Sequence, residues 1–244
     1  MFTLTYLTFL AVAVVPIAVV LLLRAYGRPD ALRRWGGVGL MVVVALAYTT
    51  PWDNYLVARG VWWYGEGVVS ARIWHAPLGE YVFIVLQTVV AALWLYAVLD
   101  RLGAVGMLRL ADVDTRDRLV GAAAGLVVGA VGLALLREPS TYYLGAILAW
   151  AGPVLALQWG FGWRYLWERR DVLLAGVGVP TLYFCVVDRV AIGLGLWTIS
   201  PRYTTGLAPA GLPVEEAAFF LVTTLFVVQG LVLLEWVLAE AATT

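Results

Sequence analysis

The sequence predicts an all-α polytopic membrane protein: seven transmembrane helices in a parallel 3+1+3 repeat. Three observations carry this. The 244 residues are 63% hydrophobic, with a mean hydropathy of +0.89, whereas soluble domains are only about half apolar. Runs such as Leu4–Leu23 and Val214–Leu234 reach the ~20 residues needed to cross a bilayer as a helix. One motif also occurs twice. Asp53, Gly60 and Trp62, followed by Pro77 and Glu80, return as Asp188, Gly195 and Trp197, followed by Pro213 and Glu216. The first three recur at an offset of 135 and the last two at 136, so the second copy carries one extra loop residue. A repeat of this kind in a membrane chain implies two pseudo-symmetric halves around a shared site.

Seven apolar segments follow in order: Leu4–Leu23, Gly37–Pro51, Pro77–Leu99, Arg118–Leu136, Tyr142–Trp163, Val172–Val190 and Pro213–Val237. The second is short, and it is expected to continue past Pro51 toward Val57 with a kink at the proline. The first run lacks a small-residue cleavage site and reads as a retained helix. Arginines orient the bundle. Loops one, three and five hold eleven of them and the remaining loops five (Arg59, Arg72, Arg137, Arg189, Arg202). The positive-inside rule then places the N-terminus outside, the C-terminus in the cytoplasm and the chain in the cell membrane. Segments one to three and five to seven run in the same sense, with segment four as connector. The chain reads as a single membrane domain, with repeat one at 1–100, the connector at 101–140 and repeat two at 141–244.

Composition excludes several functions. There is no lysine, so no Schiff base to retinal can form. A single histidine, His75, does not supply an all-histidine iron or haem site. The one cysteine, Cys185, has no disulfide partner within the chain. No glycine-rich dinucleotide loop is present, and no basic tract marks a nucleic-acid partner. No cofactor and no metal are expected. The expected partners are the bilayer and a lipophilic substrate, with other enzymes of the same pathway or a second copy of the chain as further candidates.

The two long loops, Leu56–Ala76 and Ala191–Leu212, are rich in Trp, Tyr, Gly and Pro. An interfacial aromatic belt accounts for single tryptophans, but Trp62 and Trp197 repeat, which points to a site. Pro77 and Pro213 stand where helices begin, with Glu80 and Glu216 three residues on. On a helix Glu80 shares a face with Ile84 and Gln87, and Glu216 with Phe220 and Thr223. An ionised side chain in the bilayer costs ~2.5 kcal/mol or more unless it pairs, neutralises or faces water. As a purely structural alternative, the glutamates cap helix starts, where the dipole favours an anion. Asp53 and Asp188 fit that alternative poorly, because each sits at a helix end that disfavours an anion. Arg59 and Arg189 are their candidate partners. Four acids among aromatic rings suit one chemistry well: an acid protonates an alkene, π faces stabilise the carbocation, and proton loss restores neutrality. Excluding water keeps the cation from being trapped.

These residues resemble the small integral-membrane carotenoid cyclases, the lycopene cyclase type whose homologous halves are separate chains, fused, or joined to phytoene synthase. The resemblance rests on Pro51-Trp52-Asp53-Asn54, Gly60-x-Trp62, the stretch from Pro77 to Gln87, and the stretch from Leu212 to Phe220 with Val228-Gln229-Gly230. It covers essentially the whole chain. It implies conversion of lycopene ψ-ends to β-ionone rings with no net redox change. It also implies Asp53, Glu80, Asp188, Glu215 and Glu216 as catalytic candidates, and Asn54, Trp52, Trp62, Trp197 and Gln87 as substrate-binding candidates. Where the family has Pro-x-Glu-Glu in both halves, this chain has Gly79 in the position matching Glu215. That departure makes the halves unequal, favours Glu216 with Glu215 beside it as proton donor, and leaves room for a C50 or single-ring product. A small 3+1+3 transporter and an assembly subunit are the rival readings. A transporter needs a wet path where a cyclase needs an apolar tunnel with acids at one end.

Overall fold

The computed structural model describes residues 4–28, 30–103 and 106–242. Among the described residues, six helices are long and apolar enough to cross a membrane: α3 (Ala31–Arg59), α4 (Leu78–Leu102), α5 (Thr115–Leu135), α6 (Tyr142–Glu168), α7 (Arg170–Gly193) and α8 (Val214–Ala241). The first apolar run is not one straight helix. It divides into α1 (Tyr6–Ala13) and α2 (Val15–Ala25), bent by 44°. Pro16 has no N–H for the helical bond, and its ring crowds the preceding turn. Counted as one span, the pair is the seventh.

The second segment begins earlier than its hydropathy implies, because Arg33 and Arg34 interrupt the apolar run while remaining helical. Their charges are matched. Arg33 pairs with Glu235 at 2.8 Å, and Arg34 with Asp30 at 2.6 Å and with Asp100 at 2.8 Å. Pro51 lies inside α3, which continues to Arg59.

The connector helix α5 packs on α6 backbone to backbone. A Cβ on Gly121, Gly125 or Gly132 would stand 2.1 Å from a backbone atom of α6. Without a hydrophobic drive between helices in lipid, close approach of small residues supplies the contact.

At the opposite end from the ion pairs, the two aromatic loops meet. Strand β1 (Trp62–Tyr64) pairs antiparallel with β4 (Trp197–Ile199), matching Trp62 with Ile199 and Tyr64 with Trp197. A shorter pair, β2 (Arg72–Ile73) and β3 (Ala76–Pro77), precedes α4. The β1–β4 register maps onto itself when the halves are exchanged. Gly65 N–H donates to Leu196 O at 3.0 Å, and the equivalent Ser200 N–H donates to Val61 O at 2.8 Å. Gly60 and Gly195 take φ of 71° and 72°, the left-handed conformation that closes a helix and turns the chain into a strand. This explains the repeated glycine.

The packing predicts opposite effects at two helical glycines. Gly125→Ala overpacks α5 against Ala156 and should cost ~1–3 kcal/mol. Gly39→Ala, with nothing within 4 Å of its Cβ, should be neutral or stabilising by up to ~1 kcal/mol. Thermal unfolding in detergent reads both. A Gly125→Ala protein as stable as the parent would contradict the packing.

Candidate active site

Each acid is placed by a helix end. Asp53 lies one to two turns before the end of α3, and Asp188 holds the same position in α7. Glu80 and Glu216 lie in the first turns of α4 and α8. Because the β1–β4 pair draws these four ends together, all four acids line one cavity of about 50 Å³. Ten of its seventeen lining side chains are aromatic, Trp52, Trp62 and Trp197 among them. Phe83, Phe184 and Phe220 pack together on the apolar side, with ring centroids 5.8–6.1 Å apart.

Three of the four carboxyls, Glu80, Asp188 and Glu216, are bound by neutral donors. Tyr64 Oη donates to Glu80 Oε1 at 2.6 Å, and Tyr6 Oη to Glu80 Oε2 at 3.2 Å. Trp62 Nε1 donates to Tyr64 Oη at 2.8 Å, and Trp197 Nε1 to Asp188 Oδ1 at 2.8 Å. Tyr143 engages Glu216 from the first turn of α6. Burial and the neighbouring Glu80 carboxyl hold the Tyr64 hydroxyl well above the usual tyrosine range, so it remains a donor. Glu80 and Glu216 make no helix-capping bond, and Pro77 and Pro213 themselves occupy the cap positions.

None of the four acids has an ion pair among the described residues. The expected partners are engaged elsewhere. Arg59 lies 4.7 Å from the centroid of the Tyr142 ring, and Arg189 Nε donates to Ala210 O at 2.8 Å. Four like charges in a low-dielectric cavity with no counter-cation cannot all ionise, so the set shares protons. Among the described residues, no group of three or more His, Cys, Asp or Glu side chains is arranged to hold a metal ion.

Three candidates from the sequence fall outside the cavity. Glu215 is fully buried but turned away, where Oε1 accepts the Thr205 N–H at 2.7 Å. Neighbours on a helix point about 100° apart, so adjacency in sequence does not bring both glutamates to one cavity. Asn54 is a clamp: Oδ1 accepts the N–H groups of His75 and Ala76, each at 2.9 Å, holding the turn that leads into α4. Gln87 lies two turns deeper and donates from Nε2 to Thr223 Oγ1 at 2.6 Å, lining a separate groove. Gly79 has a local reason, since a Cβ there would come within 2.4 Å of the Tyr6 ring. In this half a tyrosine occupies the space that a second glutamate would need.

Sequence reasoning missed Tyr6, Tyr64 and Tyr143. A signal existed for two of them: Thr5-Tyr6 and Thr141-Tyr142-Tyr143 open the first helix of each half. Trp63 and Trp74, which do not repeat, are exposed and suit the interfacial belt.

No family model matches the chain, and no solved structure matches it. Curated relatives do. The chain is 53% identical over 239 residues to the lycopene beta-cyclase of Halobacterium salinarum, covering 98% of this chain and 99% of that one. It is 33% identical over 211 residues to the bifunctional lycopene cyclase/phytoene synthase of Aspergillus oryzae, covering 85% of this chain and 36% of the fungal protein. The corresponding protein of Leptosphaeria maculans is 35% identical over 204 residues, with 79% and 35% covered. At this identity over nearly its whole length, the chain belongs to the lycopene beta-cyclase family.

Proposed function

We propose that this protein closes the acyclic ends of lycopene into β-ionone rings by proton-initiated cyclisation in carotenoid biosynthesis. The observation that carries this reading is the cavity: four acids from both halves, with no ion pair among the described residues, facing aromatic walls. Protonation of the terminal trisubstituted alkene gives a tertiary cation. The nearby internal alkene attacks it and closes a six-membered ring, leaving a second tertiary cation. Loss of a ring proton forms the new double bond, so atoms and charge balance without a redox partner.

The residues divide this work. Glu216 is the donor: it faces the cavity and has Tyr143 beside it. Glu80 is set up as the acceptor, because both its oxygens already receive tyrosine O–H groups. Asp53 and Asp188 hold the proton balance of the set. Trp62, Trp197 and Trp52 present π faces to the cation. No resident metal or other cofactor enters the scheme, because proton transfer and π stabilisation supply both chemical needs. The substrate reaches the site from the bilayer of the cell membrane, with the acids at the outer end, the N-terminus outside and the C-terminus in the cytoplasm. The apolar interior between the helices favours this reading over a transporter, which needs a wet path.

Three outcomes test it. In lycopene-accumulating cells, Glu216→Gln should lower ring formation ~10²–10⁴-fold at matched protein level, the usual worth of a positioned acid, and Glu80→Gln should also impair it. Pigment analysis reads both, and parental ring yield from Glu216→Gln would reject the donor assignment. Purified protein in lipid should stay active after chelation; activity lost to a chelator and restored by one metal would contradict the metal-free scheme. In a Cys185→Ser background, Met107→Cys should react with a membrane-impermeant thiol reagent only after the cell is opened. Labelling from outside would invert the topology and move the acids to the other leaflet.

A further inference from the structure

A second cavity lies directly below the acids. It has a volume of about 700 Å³ and is formed between α3, α4, α6 and α8. Ligand sites typically enclose about 300–1,000 Å³. From Phe219 to Val237 along α8 it extends about 27 Å at 1.5 Å per residue, most of a hydrocarbon core about 30 Å thick.

Its lining defines the occupant. Among the described residues, no charged side chain lines it. Its polar side chains are largely spent on the protein itself: Gln87 on Thr223 at 2.6 Å, Thr88 on Ile84 O at 2.8 Å, Gln158 Nε2 on Phe226 O at 2.9 Å and Tyr48 on Trp150 O at 2.8 Å. A long hydrocarbon without a polar head meets these conditions, and a phospholipid does not. Exposed Leu40 and Val44 on α3 and Leu157 on α6 place the mouth on the lipid-facing side.

The groove and the acid cavity share one wall residue, Phe219. Phe219 stacks on Trp52 at 5.8 Å, Trp52 on Trp150 at 4.7 Å and Trp150 on Tyr48 at 5.3 Å. This row of rings runs from the groove into the acid cavity. The acid cavity, at about 50 Å³, holds a few waters and not a six-membered carbocycle, so the reacting end must displace a wall as it arrives.

We infer that the groove between α3, α4, α6 and α8 binds the extended polyene arm of the substrate, admitted laterally from the bilayer, with Trp52 and Phe219 as the movable partition through which its end reaches the acids. This rests on the cyclase reading and adds where the non-reacting part of the substrate lies. At the matching position in the other half, hydrogen bonds bridge the helices. Tyr183 on α7 hydrogen-bonds Ala13 O at the α1–α2 bend, and Trp94 Nε1 donates to Ala175 O at 2.9 Å. The groove thus belongs to one half, and the arm it holds leaves one end at the acids.

The test reads binding apart from chemistry. Glu216→Gln protein is purified from lycopene-accumulating cells, and the pigment retained per protein is measured. Ala45→Trp and Leu234→Trp, which fill the groove, should lower retention about tenfold or more. Leu182→Trp, on the exposed face of α7, should leave it unchanged. Ala45→Leu fills the groove partly and should give an intermediate loss, which keeps the test valid if a tryptophan variant does not purify as a monodisperse species. Parental retention by any monodisperse groove variant overturns the inference, and so does equal loss from Leu182→Trp. If the parent without the Glu216 substitution forms no rings while groove-dependent retention is observed, the cyclase reading fails and the binding groove stands.

Discussion

The constraint on which the rest of this structure depends is the burial of four carboxyl groups at one end of a membrane bundle, with no arginine paired to them among the described residues. Arginine is held elsewhere, so Glu80, Asp188 and Glu216 take their hydrogen bonds from the neutral donors of tyrosine and tryptophan. Those donors sit on loops and first turns, not on the helices that carry the aspartates. The β1–β4 pairing holds the two loops against each other over the acids, the left-handed Gly60 and Gly195 turn the chain into its strands, and the Asn54 clamp fixes the turn that leads into α4. Loosening the strand pair would separate donor from acceptor on both sides at once.

The two halves share a backbone plan and differ in chemistry. In the first half the indole of Trp62 reaches its carboxylate through Tyr64, and Tyr6 adds a second hydroxyl. In the second half Ile199 stands where Tyr64 would be, and Trp197 bonds Asp188 directly. Gly79 and Glu215 continue the difference: one makes room for a ring, and the other ties down the loop at Thr205. A proton-initiated reaction needs a group that gives and a group that takes, and near-identical halves offer these only where the symmetry is broken.

Much of this is legible in the amino-acid sequence. The helices follow from hydropathy, and the four-acid cluster from the repeat, because both halves bring the same helix ends to the same side. The bend at Pro16 was missed because apolar content conceals a broken helix. Glu215 and Asn54 carry functional-looking motifs and bond to loop N–H groups, and which way a side chain turns depends on partners such as Thr205 and His75 elsewhere along the chain. The groove left no trace in the sequence. Residues such as Leu40, Val44 and Leu157 are equally apolar whether they face lipid or a hydrocarbon ligand.

The central claim is that ring formation begins with a proton delivered by a protein carboxyl that exchanges with solvent. The most direct measurement is cyclisation of lycopene by enzyme equilibrated in D2O, followed by mass analysis of the product. The account requires one deuterium retained per ring formed, because the proton gained by the alkene comes from the acid and the proton lost comes from the ring carbon. Product with no deuterium, formed at a normal rate, would show that no solvent-exchangeable acid starts the reaction, and would remove the role assigned here to the buried carboxyls.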